Sequence, residues 1–292
     1  PRRQRPRRSR QRNGALTSAE VLPRSPSIEA ASGTRNWLCD TRDLNSKLAS
    51  NPNRCELATF LHVTKDDEGP EQFAQQRWQR TPDSTEVILL RHGASQPFVP
   101  GEPFPLIEGQ GDPPLSETGE RQAQASAVRL SQEPITALYA TNMQRTQQTL
   151  APLGAALNID IAIERDLREI GLGEWEGGLL RQKAAENHPI YQQMLREQRW
   201  DVIPGAESNE EFGGRCMDAL NQIVLRHPGE LVLCGVHGGV IGSLLAQIAQ
   251  SKPFAFGGAD NCSISQIVWT AGDWAIRRFN DSSHLFEQLH HG

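Results

Sequence analysis

Four short, largely continuous apolar runs constrain the fold most: EVILLR (86–91), ITALYAT (135–141), IDIAIER (159–165) and LVLCGVH (231–237). Each has the length of a strand. Their hydrophobicity is continuous rather than alternating, which fits strands covered on both faces, as in a parallel sheet. Helix-like segments separate them at 116–131, 142–158 and 207–227, and another follows the last run at 238–250. Ser116 stands where an N-cap belongs. SISQIVWT and WAIRRFN, joined by Ala271-Gly272-Asp273, read as a terminal hairpin. Strands alternating with helices predict an α/β fold. We expect a three-layer sandwich in which helices flank a mostly parallel central sheet.

Residues 1–84 differ from the rest. They are rich in Arg, Ser, Pro, Asn and Gln and carry only short apolar clusters, too little to offset the entropy of ordering. The segment is expected to be basic and largely disordered, with a short helix around 71–80 anchored by Phe73 and Trp78. The domain is then 85–292. Residues 1–12 hold seven arginines and no acid, which leaves 23 basic against 35 acidic residues in the remainder. No aromatic residue interleaves with those arginines, so the tip reads as a solvated tail rather than a nucleic-acid or lipid contact. No run reaches the roughly 18 apolar residues of a membrane span. No apolar segment follows the basic start, so no secretory signal is expected. Five scattered cysteines lack metal-ligand spacing. They read as reduced thiols, which suits a cytoplasmic location.

In open α/β sheets ligands sit at the carboxyl ends of the strands. Two predicted strands end there in histidine followed by glycine: Arg91-His92-Gly93 and His237-Gly238-Gly239. None of the other six histidines has that placement. Arg145 opens a helix after the strand ending at Ala140-Thr141, where the helix dipole favours an anion over a cation. An anion bound between Arg91 and Arg145 resolves that conflict. Two arginines and two histidines at one edge suit a phosphoryl dianion, because guanidinium forks match its oxygens. A neutral imidazole can also attack phosphorus and split one displacement into two. The leaving oxygen then needs an acid. Glu169, Glu174 and Glu176 are the candidates, and Glu169 follows the third apolar run most closely. Pro- and Gly-rich loops at 94–115 and 171–206 are expected to wall the substrate pocket.

These segments resemble the histidine phosphatase (phosphoglycerate mutase-like) superfamily over about 85–292. LLRHG is similar to the family's signature strand end, DPPLSETGERQA (112–123) to its next helix start, and YATNMQRTQQT to the segment that carries its second arginine. LREIGLGEWEG resembles the proton-donor segment of the phosphatase branch, and LVLCGVHGGVI the second-histidine strand. The resemblance implies His92 as nucleophile, Glu169 as proton donor and His237 as the second catalytic histidine. It implies Arg91, Arg145, His92 and His237 as phosphate ligands, without metal or organic cofactor. The chain departs from the family after RHG, where Ala94-Ser95-Gln96-Pro97 replaces the usual Glu-Thr and a following asparagine. Ser95 can offer a hydroxyl to phosphate. Glu108 falls where the family carries glutamine, so either the loop turns Glu108 away or Gln110 takes its place.

The activity implied is a metal-independent phosphomonoesterase acting on small phosphate esters. The C-terminal stretch 257–281 is similar to actinobacterial members that act on phosphorylated sugars or glycerates. A cofactor-dependent mutase is the enzymatic alternative, and a phospho-ligand-binding scaffold the non-enzymatic one. The expected partner is a small phosphorylated substrate. Monomer and homodimer both stay open.

Overall fold

The computed structural model describes residues 73–75 and 78–285. In chain order the elements are β1 (Thr85–Arg91), β2 (Leu106–Ile107), β3 (Gln110–Gly111), α1 (Glu117–Leu130), β4 (Ile135–Ala140), α2 (Gln144–Leu157) and β5 (Ile161–Ile163). There follow α3 (Leu179–Ala185), α4 (Pro189–Glu197), α5 (Asn209–Arg226), β6 (Leu231–Val236), α6 (Gly238–Ile248), β7 (Ile264–Thr270) and β8 (Asp273–Asp281). Six strands form one sheet in the order β5-β4-β6-β1-β7-β8. The first four are mutually parallel, and β7 and β8 run as the antiparallel hairpin at one edge. Ala271 and Gly272 both take positive φ in its two-residue turn, as a tight hairpin matched to strand twist requires.

Strand β1 shows why its run is apolar throughout. Val87 and Leu89 point to one face and join a core with α5 and α6. Ile88 and Leu90 point to the other and join a core with α1 and α2. Successive side chains alternate across a strand, so two cores demand apolar residues at every position. The chain is the three-layer α/β sandwich that the pattern predicts. The third apolar run forms only the three residues of β5, at the sheet edge, where Ala162 and Ile163 stay exposed.

The expected helix at 71–80 does not form at its described positions: residues 73–75 and 78–80 are extended or irregular. Phe73 is exposed, but the Arg277 guanidinium lies 4.1 Å from the Trp78 ring centroid. Packing on the domain therefore begins before β1. Of the tail expected over 1–84, residues 1–72, with Cys39 and Cys55, lie outside the described residues. Within them, no helix is long and apolar enough to cross a membrane.

The end of β1 is locked onto the start of α1. Ser116 caps that helix by accepting from the Gly119 amide at 3.2 Å, and its own amide and hydroxyl both donate to the Ala94 carbonyl. A Cβ on Gly119 would overlap that carbonyl, and one on Gly93 would lie 2.6 Å from the Gly119 carbonyl oxygen. Alanine is favoured over glycine within a helix by about 1 kcal/mol. Here the sign should reverse. Gly119→Ala is expected to lower stability by about 1–3 kcal/mol, the usual cost of overpacking, as read from urea unfolding. A gain in stability would show that the β1–α1 junction is not tight.

Candidate active site

Parallel pairing of β1 with β6 sets Arg91 opposite Val236. The next residue of each strand is a histidine, so His92 and His237 leave the sheet side by side. Their ring centroids are 5.2 Å apart, edge to face. His92 Nδ1 lies 2.7 Å from the Gly93 carbonyl oxygen. A carbonyl only accepts, so Nδ1 carries the proton and Nε2 keeps a lone pair. Burial pushes the His92 pKa well below its ordinary value, and Arg145 and Arg91 push it further. His237 is lowered in the same way, by burial first and then by Arg145 and His92. Both rings are neutral at physiological pH.

Arg91 extends from the strand end, with Nη1 donating to the Ala259 carbonyl. Arg145, on the first turn of α2, donates to the Gly111 carbonyl at 3.0 Å and sits 3.5 Å from Asp112. Asp112 also accepts from the Gln144 amide at 2.9 Å, capping that helix from another loop. Burial lowers the pKa of both arginines, and Glu169 opposes it. A cleft of about 260 Å³ is lined by Arg91, His92, Arg145, Glu169, Gln110 and Arg181, among others. Three buried side-chain atoms of this cluster have no partner among the described residues: Arg91 Nε, His237 Nδ1 and Gln110 Oε1. Such orphaned groups are costly unless a ligand meets them.

Of the three candidate acids, Glu169 and Glu176 line the cleft and Glu174 is exposed. Both Glu176 oxygens are engaged, by the Leu172 amide at 2.7 Å and the Gly111 amide at 2.9 Å. Glu169 accepts from the Ile170 amide at 3.0 Å and from the Gly239 amide, in the first turn of α6, at 3.1 Å. A Cβ at Gly239 would run into that carboxylate, which is why glycine follows His237-Gly238. Glu108 turns away from the cleft, pairing with Arg165 and accepting from Asn142 at 3.1 Å. Gln110 takes the cleft position, with its amide nitrogen 2.8 Å from the Glu169 carbonyl oxygen. The Ser95 hydroxyl is not among the cleft-lining groups. It accepts from Arg181 at 2.8 Å.

Two features escaped the sequence reading. Arg181, on α3, brings a third guanidinium to the cleft. It donates to the Gln96 carbonyl at 2.7 Å and lies over Phe104, 5.0 Å from the ring centroid. Arg215, on α5, donates to the carbonyls of Asp166, Arg168 and Glu169 and forms a two-point pair with Glu207 at 2.7 and 2.8 Å. It thereby fixes the backbone that carries Glu169. Neither residue adjoins a strand end, so no local pattern marks them. Among the described residues no group of three His, Cys, Asp or Glu side chains is placed to hold a metal ion. Cys216, Cys234 and Cys262 are buried free thiols, and burial pushes each pKa up to about 12.

Residues 87–282 match the family model of the histidine phosphatase superfamily, branch 1. The chain belongs to this superfamily. A metal-independent phosphoserine phosphatase of Arabidopsis thaliana is 32% identical over 205 residues, covering 69% of this chain and 83% of that protein. A probable phosphoglycerate mutase GpmB of Yersinia enterocolitica is 30% identical over 207 residues, covering 68% and 94%. The structure of a mycobacterial glucosyl-3-phosphoglycerate phosphatase superposes with a TM-score of 0.58 at 26% identity, covering 68% of this chain and all of that one.

The buried neutral histidines carry a pH signature. Unfolded, each takes up a proton as pH falls through about 6.5. Folded, they exclude it, so stability is lost below that pH by up to about 1.4 kcal/mol per pH unit per group. Unfolding followed from pH 7.5 to 5.0 should show the decline, and His237→Asn should make it shallower. An unchanged slope would mean that His237 is protonated in the fold.

Proposed function

We propose that the chain is a metal-independent phosphomonoesterase that hydrolyses small phosphate esters through a covalent phosphohistidine on His92. The observation that carries this reading is the His92 ring: neutral, with its proton fixed on Nδ1 by the Gly93 carbonyl, among three guanidinium groups. Nε2 attacks phosphorus while the bond to the ester oxygen breaks. Arg91, Arg145 and Arg181 stabilise charge on the equatorial oxygens. The unpartnered Arg91 Nε and His237 Nδ1 suit the same oxygens, the latter as a donor when the Thr141 hydroxyl, 3.1 Å away, donates to His237 Nε2. Glu169, protonated, gives its proton to the leaving oxygen. As carboxylate it then takes one from the water that attacks the phosphohistidine, which frees orthophosphate and neutral His92. Glu176, whose two oxygens bridge the Leu172 and Gly111 amides, ties the two loops together. Ser95 acts through Arg181.

Phosphate release from a panel of esters in the presence of EDTA tests the reading. Release is expected to persist with EDTA and to vanish in His92→Ala. Turnover above a few per cent in that variant would sink the covalent mechanism, and product isomers without free phosphate would point to a mutase. Glu169→Gln should slow alkyl phosphates far more than aryl phosphates, whose phenoxide leaves with less help; equal slowing would move the acid role elsewhere. Arg145→Ala should lower kcat/KM on the order of 10²–10³, by analogy with loss of one oxyanion donor, and no change would take Arg145 out of the site.

A further inference from the structure

Beside the phosphate cleft lies a larger cavity, of about 690 Å³, that the chemistry above leaves unused. Its wall is mainly apolar and includes Met194, Leu195, Trp200, Phe212 and Phe254. Such a volume and lining suit the body of a small organic molecule. Leu180 and Arg181 line both cavities, so the two adjoin. Among the described residues Arg181 is the one charged group along the apolar wall, and its guanidinium is held toward Ser95, Gln96 and Phe104. The floor includes Gly238, Gly239 and Gly242 of α6.

That floor matters because the Gly239 amide also holds the Glu169 carboxylate. In an in-line displacement the leaving oxygen departs on the side opposite His92, within reach of the acid. The carboxylate of that acid is held at the first turn of α6, the same turn that lines the apolar cavity. We propose that this cavity seats the organic group of the substrate, and that the chain prefers phosphomonoesters of apolar alcohols or phenols over charged esters such as phosphoserine or phosphoglycerate. This rests on the phosphomonoesterase reading.

The test is kcat/KM for the full chain on n-alkyl phosphates from methyl to octyl, with phosphoserine and 3-phosphoglycerate alongside. Specificity should rise roughly fourfold per methylene, the factor that corresponds to ~0.8 kcal/mol of transfer free energy, until the cavity is filled. Ala184→Phe, which narrows the cavity, and Leu195→Glu, which charges its mouth, should flatten the rise and leave methyl phosphate turnover unchanged. Both positions are partly exposed on short helices, so the fold should tolerate them. Rates independent of chain length, or highest for the charged esters, would overturn the proposal. Affinity for the non-hydrolysable n-alkylphosphonates, measured by calorimetry, separates the two readings. Tighter binding with chain length in the absence of any turnover would retain the pocket and reject the phosphatase. Turnover with chain-length-independent binding would do the reverse.

Discussion

Everything at the candidate site depends on the parallel register of β1 with β6. With Arg91 opposite Val236, the two strands run out at the same level. The next residues are then forced into contact, which is how two histidines 145 positions apart in sequence come within 5.2 Å. A slip of one residue would send His92 to the opposite face. Register is protected by burial on both sides of β1, since Val87 and Leu89 fill one core and Ile88 and Leu90 the other. The strand end cannot drift either, because the Gly93–Gly119 contact and the Ser116 cap pin the chain as it leaves the sheet.

The register concentrates positive charge where there is little acid to answer it. Arg91, Arg145 and Arg181 face a single cleft, and Glu169 and Glu176 are the acidic groups that line it. Burial lowers the pKa of Arg91 and Arg145, and partial desolvation at the cleft lowers that of Arg181, whose side chain keeps an exposed face. Backbone carbonyls of Ala259, Gly111 and Gln96 hold their planes at fixed angles, so a bound dianion finds donors already oriented and no reorganisation is needed during reaction. Burial first, and then the charges of Arg145 and Arg91, hold the His92 pKa well below its ordinary value. On the proposed reading, the arginines that would bind phosphate thus also help keep the nucleophile neutral.

The local parts of this design can be read directly from the sequence. Continuous apolar runs mark strands with two covered faces, and histidine-glycine at two strand ends marks the site edge. Arg145 is legible because a cation at a helix start conflicts with the dipole, and Ser116 because a cap has a side-chain signature. The parts that escape are built by long-range contacts. Arg181 belongs to α3, a seven-residue helix with no buried residue of its own, and reaches the cleft only because loop 94–115 folds against it. Arg215 sits within an amphipathic helix, where an arginine ordinarily reads as a solvated face. The choice between Glu108 and Gln110 turns on a two-residue hairpin, with Glu108 and Gly109 both at positive φ, that sends one side chain to Arg165 and the other to the cleft.

The apolar wall also bears on the fate of the phosphoryl group. A mutase must retain the dephosphorylated acid beside the phosphohistidine, which calls for cations along the wall that receives the leaving group. Here the wall offers Met194, Trp200 and Phe254, with neutral polar residues such as Asn209 and Gln247 at its edges. Arg181, the one cation there among the described residues, also lines the phosphate cleft, where the proposed mechanism uses it for the phosphoryl oxygens. An apolar alcohol freed beside such a wall has no charge to anchor it near phosphorus once the ester bond is gone. In the proposed mechanism its departure opens the face next to Glu169 to water, and the carboxylate left by the first proton transfer is the base that water requires. On that reading, a cavity that seats an apolar ester also favours hydrolysis over return of the phosphoryl group to the alcohol.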